Sequence, residues 1–268
     1  MQSAIKQLLI FSNFFYQVYS YREYLIQSVS RDLRKKYKRS ALGYLWTMLH
    51  PLGMMLIITT VLSNLMGVSF KDYAIFFLVG LLAWNYFSST ALMSLHAIRT
   101  NSRLFSQIAI PKYIFIVSLV CSNFVNYLLA IIPLFVVMLI AGHAIPWTVI
   151  LFPIVFIPLL FVTTGISLIL SVSNVFYEDT LHLSEVALQA LYFLSPILYS
   201  REKLPADLIS WLVLNPLFCQ VEFMRLIFFE GIVPDLMSFS LNLLGSLFIL
   251  FCGLYIFSKS EDKFMYHL

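Results

Sequence analysis

Charge is what this chain has least of. Its 268 residues include 17 Lys or Arg and 13 Asp or Glu, so charged side chains make up only 11%. A water-soluble domain carries roughly a quarter, and that deficit excludes a single soluble core. Cysteine is scarce too. Cys121, Cys219 and Cys252 lie far apart in apolar runs and form no C-x-x-C, which reads as three buried thiols. No H-E-x-x-H, no G-x-x-x-x-G-K-[ST] and no Gly-rich phosphate loop occurs. Paired carboxylates are missing from the apolar runs, and His50, His96 and His182 fall near their ends, where ordinary hydrogen bonding accounts for them. An enzyme working within the membrane would need such a dyad or a metal site. An ion-coupled pump would need titratable groups near the bilayer midplane. Uphill transport by this chain would therefore draw its energy from a separate nucleotide-hydrolysing subunit.

What the chain has is long apolar runs. Hydrophobic residues reach 60% and mean hydropathy is +0.88, the composition of a polytopic membrane protein. The pattern predicts an all-α integral membrane fold of one domain with six spans, over about 42–66, 73–96, 113–142, 146–173, 182–198 and 238–258. Five of these runs carry no Lys, Arg, Asp or Glu, and the fifth in order, 182–198, contains Glu185. Pro51 is expected to kink the first.

Basic residues set the orientation. Eight lie before residue 44, three in loop 97–112 and two in the tail, against Lys71, Arg201, Lys203 and Arg225 on the other side. Basic residues in short flanking loops stay in the cytoplasm, so both termini are expected there. The run Arg31, Arg34, Lys35, Lys36, Lys38 and Arg39 reads first as a topological anchor facing anionic headgroups. With a pI near 8.9 such a run suggests nucleic acid in a soluble protein, but the span that follows argues against that partner. The same cations could attract the phosphate of a lipid carrier.

Residues 4–30 show apolar side chains at helical spacing, among them Leu8, Phe11, Phe15 and Val18, and again Phe14, Val18, Tyr21 and Leu25. They predict an amphipathic helix lying in the headgroup plane. A cleaved signal peptide is the competing reading; Ser12, Asn13 and Gln17 interrupt its apolar core and the densest positive charge comes after it. The stretch 199–235 is mixed. It holds "LISWLVL" and "LFCQVEFMRLIFF", each too short to cross, separated by "LNP". Two short external re-entrant helices are expected, with Leu217, Val221, Met224 and Phe228 on one face and Glu222 paired to Arg225 at i, i+3.

Taken in order, "RDLRKKYKRSALGYLWTMLHP", "TNSRLFSQIAIPKY", "LSVSNVFYEDTLHL" and "FLSPILYSREKLP…LNPL" resemble the lead-in segment, first cytoplasmic loop, second cytoplasmic loop and external re-entrant region of type-2 ATP-binding-cassette exporter permeases. Within that family the likeness is to permeases for lipid-linked polysaccharide of the O-antigen, capsule and teichoic-acid type. The resemblance implies a homodimer in the cytoplasmic (inner) membrane of a bacterium, two ATPase subunits beneath it that carry ATP and Mg, no cofactor in this chain, and a lipid-linked glycan as cargo. A permease of the same architecture for a drug or lipid is the alternative, and a membrane enzyme acting on lipid-linked sugar is a further one.

The resemblance also assigns sites. The coupling helix that docks on the ATPase would present Leu104 and Phe105 as apolar knobs beside Arg99, Asn101 and Arg103, with Pro111 at the mouth of the third span. The second cytoplasmic loop retains Asp179, which also reads as the cap of a helix starting near Thr180. Glu178 stands where such permeases often have Arg, so no role is carried onto it. Pro196, Asn215, Pro216, Glu222 and Arg225 mark the external gate. Trp84, Tyr86 and Phe87 either line a glycan path or simply pack, and packing is the reading for most of the aromatics.

Overall fold

The fold is given by a computed structural model, in which the structure describes residues 13–37, 42–102 and 110–266. Among the described residues the regular structure is helical throughout. In chain order the α-helices are α1 (Arg22–Tyr37), α2 (Leu45–Met66), α3 (Phe70–Thr100), α4 (Tyr113–Ala141), α5 (Phe152–Phe176), α6 (Thr180–Leu194), α7 (Ala206–Leu212), α8 (Pro216–Arg225) and α9 (Leu236–Ser260). A 3-10 turn, Trp147–Leu151, leads into α5, and a π-turn, Leu226–Glu230, prolongs α8. Local chemistry sets several ends. Gly67 and Gly142 close α2 and α4 at φ 66° and 80°, a conformation glycine adopts without a Cβ penalty. Asp235 starts α9 by accepting from the Ser238 N–H at 2.9 Å and its Oγ at 3.0 Å.

The basic run is not a separate lead-in. Residues 13–20 are helical, and α1 continues to Tyr37, so Arg31, Arg34, Lys35 and Lys36 occupy its last turns. Cations are favoured there by the negative end of the helix dipole; Lys38 and Arg39 lie outside the described residues, as do Leu8 and Phe11. The expected apolar face does meet the bundle: Phe14 and Leu25 are buried, with Val18 and Tyr21 beside them, in a cluster built from Ile114, Leu254, Phe257 and Phe264.

Among the described residues, five helical segments are long and apolar enough to cross a membrane: α2, α3, α4, the 3-10 turn with α5, and α9 with its 3-10 tail. The crossing expected over 182–198 is built differently. Helix α6 has 15 residues and reaches only about 22 Å. The chain beyond it completes the path. Glu178, just before α6, pairs with Arg99 in the last turn of α3 at 2.6 Å. Leu198, just after it, accepts from the Tyr73 hydroxyl at the opposite end of α3 at 2.8 Å. Residues 178–198 therefore run the length of α3 as a helix plus a short turn.

Helices α7 and the α8 segment are bent by 106°. Both ends of this pair meet the same end of the bundle, the one away from α1: Leu198 precedes it, and its exit packs on the α4–α5 connection, where Thr148 Oγ1 donates to Ile227 O at 2.7 Å. The pair is thus a re-entrant hairpin. Its packing face is the one expected, with Leu217, Val221, Met224 and Phe228 all buried.

The tightest seam joins α5 to α9. A Cβ added at Gly165 would sit 2.6 Å from Ile249 O, and one at Gly253 would sit 2.5 Å from Gly165 O. Two backbones meet here with no side chain between them, a packing that gains dispersion contacts in lipid, where apolar burial supplies little.

Candidate functional site

Polar chemistry gathers at three places. The first is the end of the bundle that holds α1. Arg99 projects from the last turn of α3 and pairs with Glu178, tying the end of that helix to the α5–α6 connection. Asn101 closes α3 by donating to Ala97 O at 2.8 Å, and Pro111 opens α4, its carbonyl accepting from Ile114 at 3.0 Å. Arg103, Leu104 and Phe105 lie outside the described residues. Helix α6 begins at Thr180 with Asp179 at its N-cap position, yet the carboxylate makes no cap hydrogen bond. Asp179 already has helical dihedrals, φ −62° and ψ −15°, whereas a capping side chain needs an extended backbone to reach back to its own helix. Sequence gave no pointer to the Arg99–Glu178 pair, whose members are 79 residues apart.

The second place is the flank of α1. Ser28 is the hinge of a small network: it accepts from Arg31 Nη2 at 2.9 Å and from Ser118 Oγ on α4 at 2.7 Å. Arg31 also meets Asp32 at 3.3 Å. Arg34 and Lys35 are exposed. A cavity of about 680 Å³ opens between α1, α3 and α4, with Arg31, Lys35 and His96 at one side and Ser122, Asn123 and Asn126 further in. Helical spacing explains this arrangement. Asn85, Ser89, Met93, His96 and Thr100 recur every three or four residues along α3, and Ser118, Ser122 and Asn126 every four along α4. Two facing stripes result, polar apart from Met93. Counting charges alone misses them, because the stripes are neutral; a search for helical periodicity of polar residues inside the charge-free runs would find them.

The three aromatics in "LLAWNYFSS" separate here. Trp84 packs edge-on against Tyr192 and tilts onto Phe87, and both are buried in the core. Tyr86 meets Tyr127 and Phe156 and borders a cavity between α2, α3 and α4. For Trp84 and Phe87 the packing reading applies.

The third place is the opposite end. Arg225 is 2% exposed, and its guanidinium is spread over backbone carbonyls. It donates to Ile197 at 2.8 Å, Phe76 at 3.3 Å and Tyr199 at 3.4 Å, with Glu222 at 3.5 Å. It also lies 3.4 Å over the Phe76 ring. The expected Glu222 pair therefore exists but is the longest of four contacts. Arg225 chiefly pins the re-entrant hairpin to α3 and to the tail after α6, next to Pro196. A planar five-donor fork suits that task. Gly80 makes room for it: a Cβ there would lie 3.1 Å from Arg225 Nη2. Asn215 caps α8, accepting from Leu217 N–H at 3.0 Å, and Pro216 occupies the first helical position.

Comparison with known proteins agrees with this architecture. The chain is 29% identical over 250 residues to an O-antigen export system permease protein of Myxococcus xanthus, covering 92% of this chain and 96% of that one. It is 28% identical over 246 residues to one of Klebsiella pneumoniae, covering 90% and 93%. A polysialic acid transport protein of Escherichia coli is 26% identical over 238 residues, covering 88% and 92%. The profile of the ABC-2 type transporter matches residues 23–229, from the second residue of α1 to the end of the re-entrant hairpin, and the chain is accordingly a multi-pass membrane member of the ABC-2 type transporter family.

Proposed function

We propose that this chain is the membrane permease subunit of an ATP-driven exporter of lipid-linked polysaccharide. The observation that carries the proposal is near-complete collinearity with permeases named for O-antigen export and polysialic acid transport, at 88% or more of each chain. The fold supports it. Spans this poor in titratable groups offer nothing to couple to an ion gradient, so the driving force is supplied by a partner, an ATP-binding-cassette ATPase that carries ATP and Mg.

In this reading the α1 end faces the cytoplasm, following the concentration of basic residues there. The ATPase docks where α3 ends, using Arg99, Asn101, Arg103, Leu104, Phe105 and Pro111, with the α5–α6 connection and Asp179 beside them through Glu178. Helix α1 lies at the membrane surface and its cations, Arg31, Arg34 and Lys35, meet the phosphate of the lipid carrier. Two copies of the chain assemble with two ATPases, and the re-entrant hairpin held by Arg225 forms the external gate.

Removing the gene tests the proposal: lipid-linked glycan should accumulate inside the cell and surface glycan should fall. Normal surface glycan with increased sensitivity to small hydrophobic compounds would refute it in favour of a drug or lipid exporter. Neutralising Arg34, Lys35 and Lys38 together, with insertion intact, should reduce export; unchanged export would remove the phosphate role alone.

A further inference from the structure

The cavity that Tyr86 borders differs in chemistry from the basic groove beside it. It encloses about 290 Å³ in the half of the bundle nearer α1. Asn85, Ser89, Asn123 and Asn126 contribute amides and a hydroxyl, while Trp46 and His50 stand at its mouth. Among the described residues, no Asp, Glu, Lys or Arg lines it. So many neutral hydrogen-bonding groups in one place are costly inside a lipid-immersed bundle unless something answers them.

One of them is unanswered. The Tyr86 hydroxyl is buried and has no hydrogen-bond partner among the described residues. Buried polar atoms are nearly always satisfied. Nothing in the packing of the ring against Tyr127 and Phe156 requires a hydroxyl rather than a phenylalanine edge. The cavity also adjoins the 680 Å³ groove through Asn123 and Asn126, which line both. Moving inward from α1, a ligand therefore meets cations first and neutral amides, hydroxyls and aromatics next.

We infer that the cavity between α2, α3 and α4 binds a sugar: the carrier-proximal residue of the glycan, held by Asn85, Tyr86 and Asn123 while the adjoining phosphate lies against the α1 cations. The inference rests on the polysaccharide reading and deepens it. A neutral, hydroxyl-rich ring matches a donor and acceptor set that has no formal charge, and an aromatic at the mouth suits its apolar face. The volume, near the lower end of the roughly 300–1,000 Å³ typical of ligand pockets, fits one small ring and not a polymer. Each protomer would thus read the first sugar before the chain is moved.

The test uses the full chain with its ATPase in nanodiscs. The probes are polyprenyl pyrophosphate and phosphatidate, each bare or carrying a single hexose or N-acetylhexosamine. The wild type should bind at least one glycosylated lipid about tenfold more tightly than its bare counterpart. Tyr86→Phe and Asn123→Leu should each bring that preference close to unity and leave affinity for the bare lipid unchanged. Tyr86→Phe removes only the orphan hydroxyl, so its melting temperature without ligand should equal or exceed that of wild type. If Asn123→Leu does not fold, Ser89→Ala at the exposed mouth replaces it. Equal binding of bare and glycosylated lipids by wild type, or a preference that survives the variants, overturns the inference and leaves the exporter reading standing. Binding of neither class overturns both.

Discussion

Arg99 and Glu178 meet at 2.6 Å between the end of α3 and the connection that precedes α6. The contact is solvent-facing on the Glu178 side, where 80% of the side chain is exposed. An ion pair of this kind contributes about 0–1 kcal/mol to stability, so its consequence is positional: it fixes the spacing between the end of α3 and the α5–α6 connection.

Reversing either charge separates this from a stabilising role. Arg99→Glu and Glu178→Arg should each leave the melting temperature within a degree or two of wild type, by rough expectation for an exposed pair, yet lower surface glycan output. The double swap should restore output. Wild-type export by both single variants would show that the pair positions nothing.

Arg225 carries the opposite prediction, a loss of stability. Its removal leaves the carbonyls of Phe76, Ile197 and Tyr199 without their donor in a buried site. Arg225→Gln should destabilise the chain by about 3 kcal/mol, measured by denaturant titration in detergent. Arg225→Lys should recover little, because one ammonium cannot reach three carbonyls in the plane of a guanidinium.

Gly165→Ala and Gly253→Ala should each cost about 1–3 kcal/mol, as overpacking of a tight contact does. The added methyl would collide with backbone that has no flexible end to give way. Gly245→Ala on the same α9 is the control: a Cβ there meets nothing within 4 Å. Thermal unfolding of the three variants side by side reads the difference, and equal behaviour would contradict the close crossing.

The cap of α9 titrates. Hydrogen bonds from the Ser238 backbone and then from its side chain hold the Asp235 carboxyl below its ordinary value of 3.8. A depressed carboxylate contributes stability that is present above its unfolded pKa and is lost as pH falls through the folded one. The gap in melting temperature between wild type and Asp235→Ala should therefore be constant from about pH 5 to 8 and close as the pH drops below 3.8. A gap unchanged by acid would show that the carboxylate form plays no part in the cap.

Much of this architecture can be read from residue order. Charge-free runs locate the spans, and the broken apolar pieces around "LNP" locate the re-entrant hairpin, because lipid exposure imposes composition directly. Boundaries shift where local rules compete. Charge counting places Arg99 in a loop over 97–112, but α3 continues to Thr100 because Arg99 is a good helix former that also suits the last turn. Helix α6 stops four residues before Leu198, and the crossing is finished by a turn hydrogen-bonded to Tyr73. The site was less legible. Spacing puts Arg225 beside Glu222, but its carbonyl partners come from segments 149 and 28 residues away. Asn85, Ser89, Asn123 and Asn126 carry no charge to draw notice; only the convergence of α3 and α4 gives them a common purpose.

Helix α3 touches both ends of this machinery. It has 31 residues with no proline, a rod of about 46 Å. Its last turn holds Glu178 and its second turn supplies Phe76 to Arg225. In the proposed exporter such a rod, shifted at one tip, cannot stay still at the other, so an ATPase docked beside Arg99 would move the hairpin held by Arg225 through a single helix.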